Sequence, residues 1–338
     1  VTWSKMTQVQ SSFDPVMRKA ALLYNPDSGG SRVRRQAELE SVVAILHRAN
    51  VEAELILTHS RAHAESQARQ AVLTGCDTIF ACGGDGTIHN VIQVLANTGA
   101  ALAILPMGTA NALAHDLGLP MNIAAAARAA LQATPRRIAL GRIQYLDLEG
   151  QPGTRFFVVA AGCGVDAHLF YKLHAGTKQR MGMSAYYAKA WQLWVSYPMT
   201  RFLVEFAETG SEQRLQANVT ELMAVRIRNF GGVLRELAPG ASLERADLRL
   251  VFCHTASRLA YLLYVTRGLL GRNWSIPGIN LAYSQRVSCQ QILPSASTDA
   301  PSPALPKVYV EADGELVGTL PTQITVARDA LTLLAPSR

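Results

Sequence analysis

Four times in its first third the chain runs from a short apolar segment through a polar loop into a helical pattern. ALLY (Ala21 to Tyr24) leads to NPDSGGS and then VRRQAELESVVAILHRA. VEAELIL leads to THS and AHAESQARQAVLTG, DTIFAC to GGDGT and IHNVIQVLANTG, and ALAIL to PMGTAN and ALAHDLG. Strands alternating with helices at this spacing predict an α/β domain built on a doubly wound, mostly parallel sheet. Ligands of such sheets sit beyond the carboxyl ends of the strands. The loops NPDSGG, GGDGT and MGTAN all fall at those ends, so the fold should make them converge.

Past about Leu140 the pattern changes. IAAAARAALQATPRRIALG reads as a last helix entering a strand, and the runs after it are shorter and rich in Val, Phe and Tyr: RIQYLDL, TRFFVVAAG, TRFLVEFA, VTELMAVRIRN, DLRLVFCH and VYVEADGELVG. Turn residues separate them, the pattern of an antiparallel β domain. A helical insertion, QRMGMSAYYAKAWQLWVSY, interrupts it, and SASTDAPSPALP reads as a mobile loop. A chain of 338 residues exceeds one ordinary core. The expected division is residues 18–140 and 141–320, with the last apolar run, about 321–338, pairing in the second unit or returning to the first.

Glycine inside a strand or helix costs roughly 0.5–1 kcal/mol relative to alanine. Three glycines around Asp85 in CGGDGTIHN therefore mark a backbone with a task. Each of the three loops joins a strand to a helix N-terminus, where unpaired N–H groups and the helix dipole favour phosphate. A carboxylate there repels phosphate unless it holds Mg²⁺ or orients a hydroxyl nucleophile. A plain βα turn with Asp85 as N-cap explains one such loop, but less readily three at one sheet edge. The lysine-bearing phosphate loop G-x-x-x-x-G-K-[ST] is absent, and no G-x-G-x-x-G follows the first strand. Gly162 to Gly164 (GCG) lies in the β-rich half and reads as a turn.

NPDSGG, GGDGTIHNV and LPMGTANALAHDLGLP resemble the three signatures of the diacylglycerol kinase catalytic domain, a family that takes in bacterial lipid kinases, sphingosine kinases and ceramide kinases. AAGCGVDAHL, RMGMSAYYAKAW, NFGGVLRELAPGASL and VEADGELVG follow in the family's order, so the resemblance covers about Arg18 to near the C-terminus. It implies an N-terminal α/β nucleotide domain, a C-terminal antiparallel β-sandwich, and ATP with Mg²⁺ in the cleft between them. By position, the ATP contacts would be Asn25, Pro26, Asp27, Ser28, Gly29, Thr58, Gly83, Gly84, Asp85, Gly86, Thr87 and Thr109, with Asn111 in the same loop. Asp85 would sit beside the phosphates and the metal, and Glu315 would be the general base. Read from the residues alone, Asp313-Gly314 is a hairpin turn signal. The carboxylate after it could reach the cleft from the second domain.

The implied reaction transfers the γ-phosphate of ATP to a hydroxyl of diacylglycerol or a related lipid at a membrane surface. Two alternatives stand beside it. NAD kinases share GGDGT, but this chain lacks the Asn-Glu pair they carry after it. A nucleotide-binding regulator without turnover is the other. The family often carries Asp-Gly near a structural metal after the LAPGASL stretch. Here Glu244, Arg245, Ala246 and Asp247 stand there, and an arginine opposes a second cation. The phosphate loops hold no lysine, so neutralisation would fall to Mg²⁺ and to Arg32, Arg34 or Arg35, which also read as a solvated helix face.

The net charge of +7 favours anionic partners, or is a surplus spread over the surface. Nucleic acid is not among the partners the resemblance implies, and a homodimer is compatible with a β-rich second domain. Five widely spaced cysteines without C-x-x-C suggest neither a disulfide framework nor a zinc site, and point to a reducing cytoplasm. The first residues lack the apolar core of a signal peptide. No apolar run approaches the roughly 18 residues a spanning helix needs; LAYLLYVTRGLLG is split by Arg267. Membrane contact would then be peripheral, at the inner surface. Tyr187, Trp191 and Trp194 share a helix face that reads as core, or else as an acyl-groove wall or membrane-facing patch. His89, His115 and His168 lack metal-ligand spacing and receive no role.

Overall fold

The computed structural model describes residues 17–26, 32–172, 192, 195, 196, 198–231, 236–272, 274–292 and 306–336. Asp27, Ser28 and Gly29 of the first loop, the stripe Tyr187, Trp191 and Trp194, and residues 295–305 lie outside them.

Four parallel strands, β1 (Lys19–Tyr24), β2 (Glu52–Leu57), β3 (Thr78–Gly83) and β4 (Ala101–Pro106), alternate with helices α1 (Arg32–Arg48), α2 (Arg61–Leu73) and α3 (Asp85–Leu95). They lie in the order β4-β3-β1-β2. β3 and β4 are buried along their whole length, as continuous apolar runs of a sheet covered on both faces must be. On one face α1 buries Leu39, Val42 and Leu46 with Ile123, Ala126 and Ala130 of α5 (Ile123–Gln132). On the other, Ala68 and Ala71 of α2 pack with Ile88, Val91 and Ile92 of α3. The strand order reverses between β1 and β3, so the loops after these two strands flank the crevice where doubly wound sheets bind ligands. Ser60 starts α2 by accepting from the His63 amide, a cap whose loss costs about 1 kcal/mol. α4 (Ala112–Asp116) completes the α/β unit.

The antiparallel region begins with β5 (Pro135–Leu146), β6 (Pro152–Phe157), β7 (Ala160–Gly164) and α6 (Val165–Lys172). It continues through β8 (Phe202–Ala207), β9 (Arg214–Val219), β10 (Glu221–Val225), β11 (Leu248–Cys253), α7 (Arg258–Leu270), β12 (Ile279–Ser284), β13 (Arg286–Gln291), β14 (Tyr309–Ala312) and β15 (Glu315–Leu334). One layer runs β12-β11-β10-β7-β14, and the other joins β9-β8-β13-β15-β5-β6. Alternate residues of both layers meet in a single core, including Ala161, Cys163, Leu222, Phe252 and Val310 against Ile143, Phe202, Val204, Val287 and Ile324. That is the geometry of a sandwich. β15 is the long link: its start pairs with β14, its middle with β13 and β5, and Thr332 and Leu333 lie parallel to Ala101 and Leu102 of β4. One continuous strand therefore ties the sandwich to the parallel sheet.

Gly162 to Gly164 is strand, not turn, and corrects the sequence reading. β7 is flanked by β10 and β14, with Gly164 opposite Glu221 and Gly162 opposite Glu311. The glycines serve close approach. A Cβ at Gly162 would collide with the Asp166 carboxylate, and one at Gly164, where φ is +118°, with the Thr220 carbonyl.

Near LAPGASL the carbonyls already have a partner. Arg226, fully buried, donates from Nη1 to the Arg245 and Asp247 carbonyls at 2.8 and 2.5 Å, and from Nη2 to those of Ala139 and Leu243 at 2.9 and 3.1 Å. Arg245 in turn forks onto both oxygens of Asp247 at 2.7 Å.

Candidate active site

The GGDGT loop begins where β3 ends. Gly84 is the N-cap of α3 and Asp85 its first residue, so the helix starts inside the motif, one residue before Gly86. Thr87 folds back over Gly83, leaving no room for a Cβ there. The next loop closes on the first. A Cβ on Gly84 would sit 3.1 Å from the Gly108 Cα, and one on Gly108 would lie 2.8 Å from Asn111 Oδ1 and closer still to Gly84. The approach of these two backbones is why both positions read glycine. Asn111, left-handed at φ +49°, clamps the second loop: its Oδ1 accepts from the Gly108 amide at 2.9 Å and its Nδ2 donates to the Gly108 carbonyl at 3.0 Å. That side chain shapes the loop, while Thr109 stands exposed at its rim. Thr58, buried at the end of β2, donates its amide to the Tyr24 carbonyl at 2.8 Å and abuts the start of the first loop at Asn25 and Pro26. Arg34, beyond that loop, is engaged with Glu38 at 3.0 Å.

Burial pushes the Asp85 carboxyl above its ordinary range, against the amides of Ala112 and Leu113 at the start of α4; the charge of Asp313 adds to the upward shift. Its Oδ1 is buried with no hydrogen-bond partner. An orphaned acidic oxygen at a helix N-terminus suits a cation or a hydroxyl that arrives with the ligand. Among the described residues no cluster of three or more His, Cys, Asp or Glu side chains is arranged to hold a metal ion.

The second carboxylate arrives from the sandwich. Asp313 (φ +49°) and Gly314 (φ +81°) make the tight turn between β14 and β15, and Glu315 follows on the first residue of β15. This turn is fastened to the β6–β7 connection and to α3. Asp313 Oδ1 accepts from the Val159 and Ala160 amides at 2.8 and 3.1 Å, and Oδ2 from the Val158 amide at 3.0 Å and from Nδ1 of His89 at 3.3 Å. Nε2 of His89 faces Glu315 Oε2 at 3.9 Å, Arg61 of α2 forms an ion pair with the same oxygen, and Glu315 Oε1 lies 3.4 Å from where a Gly86 Cβ would be. The structure thus brings Glu315 directly over the GGDGT loop. Gln93 adds a second tie, donating to the Phe156 carbonyl at 2.8 Å and accepting from its amide at 2.9 Å. Arg155 meets Glu65 at 2.7 Å, and Asp116 accepts from the Arg228 and Asn229 amides at 2.9 Å.

Reading by sequence missed four of these residues. His89, set aside for want of metal-ligand spacing, is buried between two carboxylates. Arg61, Gln93 and Asp116 carried no signal beyond their helical phase, because their partners lie far along the chain.

A further group of acids lies behind β7. Glu221 and Glu311 are buried and Asp166 is half-buried, flanking the bare backbone of Gly162 and Gly164. Burial is the main cause that pushes Asp166 up to about 7 and raises Glu221 and Glu311 well above the ordinary carboxylate range.

Residues 19–143 match the family model of the diacylglycerol kinase catalytic domain. A diacylglycerol kinase of Bacillus subtilis is 27% identical over 308 residues, covering 90% of this chain and 92% of its own length. That of Staphylococcus saprophyticus is 23% identical over 322 residues, covering 95% and 96%. The crystal structure of a diacylglycerol kinase from Bacillus anthracis superposes with a TM-score of 0.64 at 17% identity, covering 95% of this chain and 97% of that one. Another Bacillus anthracis crystal structure reaches 0.71 at 20% identity, covering 97% and 98%. The two superpositions speak for the fold; the sequence matches make residues 19–143 similar to the diacylglycerol kinase catalytic domain and support a kinase.

Proposed function

We propose that the protein transfers the γ-phosphate of ATP to a hydroxyl of diacylglycerol or a related lipid. The observation that carries this reading is the meeting of Asp85, with its orphaned buried oxygen, and Glu315 across Gly86, from two different units of the fold. In this reading residues 18–140, with the returning end of β15, form the nucleotide unit, and residues 141–320 the acceptor side. The bare glycines of the GGDGT loop would let phosphate oxygens approach the backbone closely, with the N-terminus of α3 behind them. Asn25, Pro26, Thr58 and Thr109 would line the same edge.

Mg²⁺ fits Asp85. A magnesium ion is commonly held by one or two carboxylates with the substrate's own phosphates, so a single protein carboxylate suffices. When bound, it would neutralise charge on the phosphate oxygens. The rest falls to the chain. Glu315 accepts the proton of the lipid hydroxyl as its oxygen forms the bond to the γ-phosphorus, while the bond to the β,γ-bridging oxygen breaks and ADP leaves. General-base help of this kind typically contributes 10²–10⁴-fold. Arg61 pairs with the Glu315 carboxylate over the loop, His89 faces it at 3.9 Å, and Asp313 holds His89. No described helix is long and apolar enough to cross a membrane; in this reading the acceptor would be met at a lipid surface.

The test is transfer from γ-labelled ATP with Mg²⁺ to a panel of diacylglycerol, monoacylglycerol, phosphatidylglycerol, sphingoid base and ceramide in mixed micelles, with NAD⁺ alongside. Label on a lipid supports the reading. Label on NAD⁺ alone makes it an NAD kinase, and nucleotide binding without any transfer makes it a regulator.

A further inference from the structure

Helix α7 has a buried inner face. Tyr261, Tyr264, Arg267 and Gly268 are buried. The Tyr261 hydroxyl meets Thr220 Oγ1 at 2.8 Å, Tyr264 donates to the Leu237 carbonyl at 2.8 Å, and Arg267 donates to the carbonyls of Leu237 and Trp274. Ser257 caps its start and Gly271, left-handed at φ +60°, ends it, so the helix is formed before anything meets it.

Its outer face is leucine. Leu259, Leu262, Leu263, Leu269 and Leu270 stand at i, i+3, i+4, i+10 and i+11, with Thr266 at i+7 the one polar member of the stripe. Each leucine is 38–64% exposed, and Val265 on the flank is 41% exposed. A contiguous apolar stripe of this kind marks a contact surface. The charge at its ends selects the contact. The helix carries no acid, and Arg258 and Arg272 stand exposed at its two ends. Glu236, whose amide runs beside Gly268, has its carboxylate on Arg228 at 3.2 Å. A second copy fits poorly, since two such helices in either orientation meet arginine with leucine or arginine and offer no carboxylate. An anionic bilayer offers both complements, acyl chains for the leucines and phosphates for the arginines.

We propose that the outer face of α7 docks on an anionic lipid surface, the helix lying in the plane of the interface. Its purpose rests on the lipid-kinase reading above, because an acylated acceptor resides in such a surface; the docking itself does not.

Co-sedimentation of the full chain with phosphatidylcholine vesicles, with and without phosphatidylglycerol, tests it. Binding should require phosphatidylglycerol and fall several-fold at about 1 M salt, where the screening length is ~3 Å. Leu262→Gln with Leu269→Gln should lower binding about tenfold or more, with nucleotide binding and melting temperature unchanged. Indifference to phosphatidylglycerol, absence of binding, or a double variant that binds like the parent overturns the proposal. So does a dimer that the double variant turns to monomer, which assigns the stripe to a second copy. A fall in melting temperature without a fall in binding assigns it to the chain's own packing, and also overturns it. Vesicle binding without transfer to any acceptor removes the kinase reading and leaves the docking surface. Transfer to short-chain diacylglycerol without vesicle binding does the reverse.

Discussion

Asp313 and His89 are 224 residues apart in sequence, yet Oδ2 of Asp313 accepts from Nδ1 of His89 at 3.3 Å while the rest of that carboxylate gathers the amides of Val158, Val159 and Ala160. One side chain thus fastens the turn before Glu315, the entry to β7 and the helix that begins with Asp85. It is the bolt between the two halves of the candidate site. Asp313→Asn keeps the shape but points an N–H₂ at N–H donors, leaving buried groups unmet at about 1–3 kcal/mol. The expected result in steady-state kinetics is a kcat about tenfold or more lower with little change in the KM for ATP, because Glu315 loses its place and the phosphate loops do not. A rise in KM alone would make Asp313 a part of nucleotide binding.

The two glycine loops make a sharper prediction about the nucleotide. Gly108→Ala drives a methyl into the Gly84 backbone, so the loops must part. ATP affinity should fall about tenfold or more, each tenfold being 1.4 kcal/mol. Gly99→Ala meets nothing within 4 Å and is the control. Equilibrium binding of a fluorescent ATP analogue measures both.

The acids behind β7 predict a pH dependence of stability. Asp166 is pushed from 3.8 to about 7, and Glu221 and Glu311 shift the same way. The folded chain therefore holds protons that the unfolded chain has released across the window from about pH 4 to about pH 7, and stability falls as pH rises through it. Thermal melts should show a lower midpoint at about pH 8 than at about pH 5. Asp166→Asn, which cannot ionise, should flatten the difference.

Arg226 predicts a large structural cost. Removing the guanidinium in Arg226→Leu leaves the four carbonyls it serves without their donor inside the fold. Denaturant unfolding should register about 3 kcal/mol or more, with Asp85 and Glu315 untouched. A small change would mean that water replaces the side chain.

Much of this arrangement was legible in the sequence, and the part that was not has a physical reason. β3 and β4 announced themselves as unbroken apolar runs because both faces of a parallel sheet are covered. The loops after them showed as glycine because backbones touch at Gly84 and Gly108. Gly162 and Gly164 misled because the same residue marks a turn and a close approach inside a strand, and only the position of Asp166 distinguishes the two. β9, β12 and β13, in RLQANV, INLAYS and RVSCQQ, escaped notice because partly exposed strands carry polar residues on alternate positions and little apolar signal. Helix α7 was visible only as an apolar run broken by Arg267, and the structure turns that arginine inward and the leucines outward. His89 and Arg61 gave no sign at all, since what matters about them is Glu315, brought close by the return of β15.

The most direct test of the account is transfer from γ-labelled ATP to the lipid panel by the parent chain, Glu315→Gln and Asp85→Asn, measured together with ATP binding. The account predicts a labelled lipid with the parent. Glu315→Gln should bind ATP normally and turn over about 10²-fold or more slowly, and Asp85→Asn should lose transfer along with its dependence on Mg²⁺. Full transfer by Glu315→Gln would contradict the central claim that these two carboxylates, brought together from separate units of the fold, serve one reaction.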